Sequence, residues 1–245
     1  MQQRYRKSAQ INKHKGCNEM LDYIWIDDKT PILNQVKDKF KNALIITNPF
    51  IQMPQGWTNN KRISGLEHTY PTNEEILEYG KPVLWGQLLK QTDLEDLGRL
   101  ALAMKTYISA LNKDYARNDL MEKLKLGLTE DLYLPNEDKI SQFLIPTILD
   151  VFRAKKTNKI HYSDPIFDTS GELPIDDVTI QDIYELAPTE IIITDESNDT
   201  AFMSVYDSFI TLMLTNDSNM EEIVINVGWE AMKCDDNTRI NWYLK

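Results

Sequence analysis

The chain has 245 residues, 42% of them hydrophobic and 27% charged, with a formal net charge of −11. That length holds one large domain or two small ones and a sizeable core, and no apolar run approaches the roughly 18 residues of a membrane span. Charge is uneven: residues 1–18 carry five basic residues and no acid, leaving 22 basic against 38 acidic residues, a net of −16 that repels nucleic acid and anionic membranes.

Residues 1–19 are polar, basic and without periodicity, and read as a disordered tail. No apolar stretch follows the basic start, so it is not a secretory signal. Residues 20–245 read as a single α+β domain that begins at Met20. Cys17 and Cys234 lie near opposite ends and form no disulfide framework, which places the chain in a reduced, cytoplasmic setting.

In chain order, LDYIWID (21–27) reads as a strand. Thr30 and Pro31 open a helix over Ile32–Phe40, because Thr caps and Pro tolerates the first helical turn. Ala43–Thr47 is a buried strand, and NPFIQMPQGW is an irregular loop. Thr72-Asn73-Glu74-Glu75 is a capping box for a helix that stops at Gly80. Thr92-Asp93-Leu94-Glu95 is a second box, predicted to open the longest helix, with Leu94, Leu97, Ala101, Met104, Ile108 and Leu111 on one face. A helix over Leu120–Leu126 stops at Gly127. Another spans Glu137–Phe152, kinked or divided at Pro146.

The last third returns to strands. Lys159–Tyr162 is one, followed by a turn on Gly171 and a short helix from Thr179 to just before Pro188. Ile191–Ile193 and Phe209–Leu214 form the densest β-branched and aromatic runs. In the second, Phe209 and Met213 point to one face and Ile210, Leu212 and Leu214 to the other, the mark of a central strand covered on both sides. Residues 220–227 fit either a helix or a β-branched strand. Ser218–Glu221 as a capping box and Gly228 as a stop decide for helix. EAMKC and INWYL then flank Asp235–Thr238 as a closing hairpin. Strands, then helices, then strands predict an α+β fold: a mixed or mainly antiparallel sheet drawn from both ends, with a helical layer from the middle.

The nine glycines are too scattered for a phosphate-cradling loop, and H-E-x-x-H, G-x-S-x-G and paired C-x-x-C are absent. No cofactor is implied. His14 falls in the tail and His68 in a loop. His161, Ser163 and Asp164 are the candidate catalytic group, since alternation puts His161 and Ser163 on one strand face and a nucleophile needs a base and an orienting acid. The bland alternative is a hydrogen-bonded structural histidine. Asp195 and Glu196, after a buried strand, are candidate metal ligands with His161, although acids there also simply make turns. Asp207 and Ser208 interrupt an apolar run; a carboxylate there needs a partner or marks a bend. Cys234 beside Asp235 and Asp236 reads as an inert core thiol. The aromatic stretches Phe50–Trp57 and Trp229–Tyr243 are either a recognition surface or core.

The strings DYIWIDDKTPILNQ, NPFIQMPQGW, YPTNEEILEYGKPV, TEIIITDESNDTAFMSVYDSF and INWYL together resemble a family of Bacillus-type proteins defined by a domain of unknown function, over about residues 20–244. The resemblance implies a cytoplasmic bacterial protein and transfers neither an activity nor site residues. Two functions therefore stand side by side. One is a non-catalytic factor, of inhibitor or immunity type, that binds a basic protein partner. The alternative is a hydrolase or metal-dependent enzyme centred on His161 with its neighbouring carboxylates.

Overall fold

A computed structural model describes residues 20–61, 70–186 and 189–244. The proposed tail, His14, Cys17 and His68 lie outside the described residues. The chain runs through α1 (Ile32–Val36), β1 (Asn42–Thr47), β2 (Phe50–Gln52), α2 (Trp57–Lys61), α3 (Asn73–Tyr79), β3 (Lys81–Val83), α4 (Trp85–Thr92), α5 (Leu97–Tyr107), α6 (Asn118–Gly127) and β4 (Leu132–Tyr133). It continues through α7 (Ile145–Ala154), β5 (Lys159–Asp164), β6 (Thr169–Pro174), α8 (Ile180–Leu186), β7 (Ile192–Asp195), β8 (Thr200–Ser204), β9 (Ile210–Thr215), α9 (Met220–Val227) and β10 (Ala231–Lys233), and ends in a 3-10 turn at Trp242–Leu244.

The fold is α+β, as expected. A seven-stranded sheet has the order β10-β1-β9-β8-β7-β5-β6, with every neighbouring pair antiparallel. A small sheet, β3-β2-β4, stands apart from it. Strand alternation divides the large sheet into two cores. Leu44, Ile46, Ile160, Ile193, Phe202 and Met213 face α7, α8 and α9. Ala43, Ile45, Ile192, Met203, Ile210, Leu212 and Leu214 face Leu21, Tyr23, Ile32, Val36 and Phe40. β9 is buried along its whole length, as its two-sided apolar pattern requires. The middle helices α4, α5 and α6 build a third core around Trp85, Leu88, Leu100, Met104 and Leu124, joined to the sheets through Phe50 and Phe209.

Several local expectations hold for the reasons given. Thr72 and Glu75 form the reciprocal capping box of α3. Met220–Val227 is helical, and Gly228 ends it in the left-handed region, φ 72°, where a Cβ is disfavoured. Others give way to competing contacts. Residues 21–27 form no strand: both edges of β1 are already taken, by β9 and β10, and the alternating apolar residues instead dock on the sheet face, with the Tyr23 hydroxyl donating to the Ser204 carbonyl at 2.8 Å. The loop at 48–57 contains β2. Thr92 closes α4 rather than opening α5; Asp93 turns left-handed, φ 52°, and Asp96 caps α5 by accepting from Arg99 N at 2.8 Å. Pro146 begins α7 instead of kinking it, because the N–H it lacks is one that a first helical turn leaves unused.

Gly171 lies inside β6, and the turn falls at residues 165–168. A Cβ on Gly171 would meet the Tyr162 ring at 2.8–3.0 Å, so the glycine makes room for that ring across the strand pair. The C-terminal hairpin does not form. EAMKC supplies β10 to pair with β1, while Trp242 and Tyr243 pack on the helical core.

One cap is built from far along the chain. Glu230 accepts from Trp85 N at 2.9 Å, Gly86 N at 2.8 Å and the Thr47 hydroxyl at 3.0 Å, so a carboxylate sits on the positive end of α4 and ties it to β1. Glu230→Ala is expected to lower unfolding free energy by about 1–2 kcal/mol in urea titration, and Glu230→Gln by less, because one amide oxygen still accepts. Equal losses in the two variants would show that the charge, rather than the hydrogen bonds, holds the helix start.

Candidate binding site

The structure spreads the predicted catalytic group over two sheet faces. His161 and Ser163 share one face of β5, and both are buried. His161 Nε2 lies 3.2 Å from Glu172 Oε1 on β6, its Nδ1 is buried without a hydrogen-bond partner, and no hydrogen bond joins it to Ser163. Asp164 follows on the opposite face by alternation. Its Oδ1 accepts from Ile166 N at 2.7 Å and Phe167 N at 3.2 Å and so builds the β5–β6 turn. The structure therefore brings together His161 and Glu172, not His161 and Asp164.

The candidate metal ligands are likewise engaged in turns. Asp195 accepts from Asp199 N at 2.7 Å, Thr200 N at 3.0 Å and the Ser197 hydroxyl at 2.9 Å. Register sets Asp195 opposite Ile160 and Thr194 opposite His161, so Asp195 and His161 point to different faces. Glu196 accepts from the Asn158 backbone N at 3.3 Å and side-chain amide at 3.0 Å. Among the described residues, no group of three or more His, Cys, Asp or Glu side chains is placed to hold a metal ion.

Charge and aromatic residues gather elsewhere, where α5, the segment after β4 and the β8–β9 turn meet. Lys105 of α5 is 2% exposed, yet it carries an ammonium. Its Nζ donates to Glu137 Oε1 at 3.1 Å, to Asp207 Oδ1 at 2.7 Å and to the Asp207 carbonyl, and lies 5.1 Å from the Phe209 ring centroid. Asp138 and Asp207 are both left-handed, φ 61° and 51°, a conformation a short acid tolerates better than most residues. They lock the two loops together: Asp207 N donates to Asp138 Oδ1 and Asp138 N to the Ser208 carbonyl at 3.1 Å. Asp207 thus marks a bend, as the second of its two readings had it: it is 51% exposed in the β8–β9 turn, and it pairs with Lys105 from there.

This corner carries more negative than positive charge. Burial raises the Asp138 carboxyl above its ordinary value, and Glu190, Glu137 and Asp207 push the same way against the hydrogen bond from Asp207 N. Glu190 is buried, and its Oε2 has no hydrogen-bond partner. The Tyr243 phenol is pushed up to about 12 by burial, then by Asp207, Asp28 and Glu137. Lys139 Nζ lies 4.4 Å from the Tyr184 ring centroid, and burial lowers its pKa. Beside the acids stand exposed aromatics. Trp25 is 58% exposed with its ring 5.0 Å from Tyr23, and Tyr206 is 65% exposed with its backbone hydrogen-bonded to the Tyr23 hydroxyl.

A cavity of about 300 Å³ is walled by Tyr70, Tyr107, Tyr133, Phe209 and aliphatic side chains, with Asn136 and Glu137 also in its lining. A second, of about 550 Å³, lies between the start of α5 and Trp242 and Tyr243 and includes Arg99 and Arg117. Both arginines are already matched, Arg99 with Glu95 at 3.0 Å and Arg117 with Asp119 at 2.6 Å. The first cavity, joined to the surplus of acid, is the better-defined binding site.

Of the predicted aromatic stretches, Phe50, Trp57 and Trp229 are core and Trp242 and Tyr243 half-buried. Cys234 is a buried free thiol, pushed up to about 12 by burial and by Asp235, as an inert core cysteine should be. No helix among the described residues is long and apolar enough to cross a membrane.

Comparison with known proteins shows the family of the chain. "Uncharacterized protein YwbB" of Bacillus subtilis (strain 168) is 46% identical over 224 residues, covering 91% of this chain and the whole of that protein. No solved structure matches. The family described as "Protein of unknown function (DUF2711)" matches residues 28–244, a span that holds Lys105, Glu137, Asp138 and Asp207, and the chain belongs to that family.

Proposed function

We propose that the protein works by binding another protein rather than by catalysis, and that its partner is basic. One observation carries this reading: Glu137, Asp138 and Asp207 converge next to the exposed Tyr206, with Glu137 on the wall of an aromatic-lined cavity and the exposed Trp25 joined to this corner through the Tyr23 ring. Carboxylates in excess of their cations steer and orient a positively charged surface. Trp and Tyr supply most of the energy of such contacts when a partner covers them. A cytoplasmic setting fits the free Cys234 thiol.

The test is affinity capture from bacterial extract at low and high salt, with the wild-type chain and the exposed-site variant Trp25→Ala/Tyr206→Ala. A basic protein retained at low salt, released at high salt and held at least about tenfold more weakly by the variant supports the proposal. Retention indifferent to both salt and variant overturns it. The second reading, a hydrolase or metal-dependent enzyme, is favoured by the His161–Glu172 pair with its unpartnered Nδ1. A divalent metal that stabilises the wild type but not His161→Ala would put that reading first.

A further inference from the structure

The cavity beside Glu137 has a one-sided chemistry, and this identifies what enters it. Its walls carry the rings of Tyr70, Tyr107, Tyr133 and Phe209, with Tyr70 and Tyr133 edge-to-face at 5.5 Å. Two of its donors are engaged: the Tyr70 hydroxyl donates to the Leu134 carbonyl at 2.8 Å, and the Asn136 amide to the Tyr184 hydroxyl at 2.7 Å. Lys105 has used its three ammonium protons on Glu137 and Asp207. Glu137, by contrast, gives only Oε1 to Lys105, and its side chain stays 34% exposed. Ring faces and a carboxylate oxygen are complementary to a cation, because the negative face of an aromatic ring attracts an ammonium group. The molecule already makes such a contact on this wall, where Lys105 Nζ lies over Phe209.

Size and surroundings narrow the occupant. About 300 Å³ is the low end for a small-molecule site and suits the end of a side chain. The apolar walls match a four-carbon stem, and the acids at Asp138, Asp207 and Glu190 favour positive charge. Resting on the binding function proposed above, we propose that this cavity seats a lysine side chain of the basic partner, with its stem along the tyrosine rings and its ammonium against Glu137 and the ring faces.

The probe is Nα-acetyl-lysine methylamide, titrated into the full-length protein and followed by tyrosine ring resonances, with the norleucine analogue as the uncharged control. The expected result is saturable binding about tenfold tighter than norleucine, weakened severalfold in both Tyr107→Leu and Glu137→Gln. Circular dichroism confirms that each variant is folded, and Glu137→Gln leaves Lys105 its bonds to Asp207. Equal binding of the two probes overturns the inference, as does lysine binding unchanged in both variants. No binding of the probe, with partner capture still sensitive to Trp25→Ala/Tyr206→Ala, sinks the lysine seat and leaves the binding function standing. Probe binding as expected, with no salt-sensitive partner captured, has the opposite meaning: the cavity takes a free organic ammonium compound, and the protein-binding reading fails.

Discussion

Truncating Phe202 to alanine is expected to lower the free energy of unfolding by about 3–5 kcal/mol. Phe202 is fully buried on β8, and its ring is set edge-to-face between Phe152 of α7 at 5.4 Å and Trp229 at 5.6 Å. The loss combines the transfer of an aromatic ring, two edge-to-face contacts and the cavity left behind. That cavity cannot collapse easily. Trp229 is held by its indole N–H donating to the Thr147 hydroxyl at 2.7 Å, and Phe152 is anchored in α7. Phe202→Leu keeps much of the volume and is expected to cost roughly half as much or less. The measurement is the urea midpoint with the slope unchanged. A loss below about 1.5 kcal/mol for the alanine variant would mean that the sheet and α7 are not held together through this residue.

The second large effect concerns Lys105, and its sign depends on which partner is removed. Glu137→Gln together with Asp207→Asn strips the charges from around an ammonium whose side chain is 3% exposed, and is expected to cost about 3 kcal/mol. That is the low end for an uncompensated buried charge, because the Asp207 backbone carbonyl and the new amide oxygens still accept. Asn is the right replacement at position 207, since it tolerates the left-handed backbone there. Lys105→Met should cost clearly less. It leaves two carboxylates that are 34% and 51% exposed and free to hydrate, and it keeps an unbranched stem in the helix. If Lys105→Met proves the more damaging of the two, the site is held by packing of the lysine stem and not by its charge.

The sheet was readable from sequence where a residue pattern had a single physical solution. A six-residue run apolar on both faces, such as that ending at Leu214, fits only a covered strand. Patterns with two solutions were resolved by contacts that sequence does not display. The apolar run at residues 21–26 fits a strand or a segment laid on a sheet, and the occupied edges of β1 decided between them. Thr92–Glu95 reads as a helix start, but α5 is capped by Asp96 instead. Leu88 to Thr92 was already bonded as the end of α4, and the Thr92 hydroxyl donates to the Leu88 carbonyl at 2.9 Å.

The binding site was legible only in fragments. Asp207 stood out because a carboxylate beside an apolar run needs a partner, but nothing local names Lys105 as that partner. Lys105 did carry a signal: it falls four residues after Ala101 and next to Met104, at the margin of the buried face of α5. A lysine there either extends past the core or meets an acid, and the acids come from Glu137 and Asp207, far away in sequence. Tyr70, Tyr107 and Tyr133 form one wall only because β4 and the end of α5 are folded together.

The position of β1 in the sheet has a consequence for synthesis. β1 is made early, yet both strands that flank it, β9 and β10, come from the last part of the chain. While the ribosome is still translating the middle helices, Ala43–Ile46 has apolar side chains on both faces and both backbone edges unpaired. Such a segment is a template for pairing with another chain, and non-local pairing of this kind closes slowly. Completion of the sheet therefore waits for Ala231–Lys233 to emerge, and until then a β1 edge stays open to pairing with another chain.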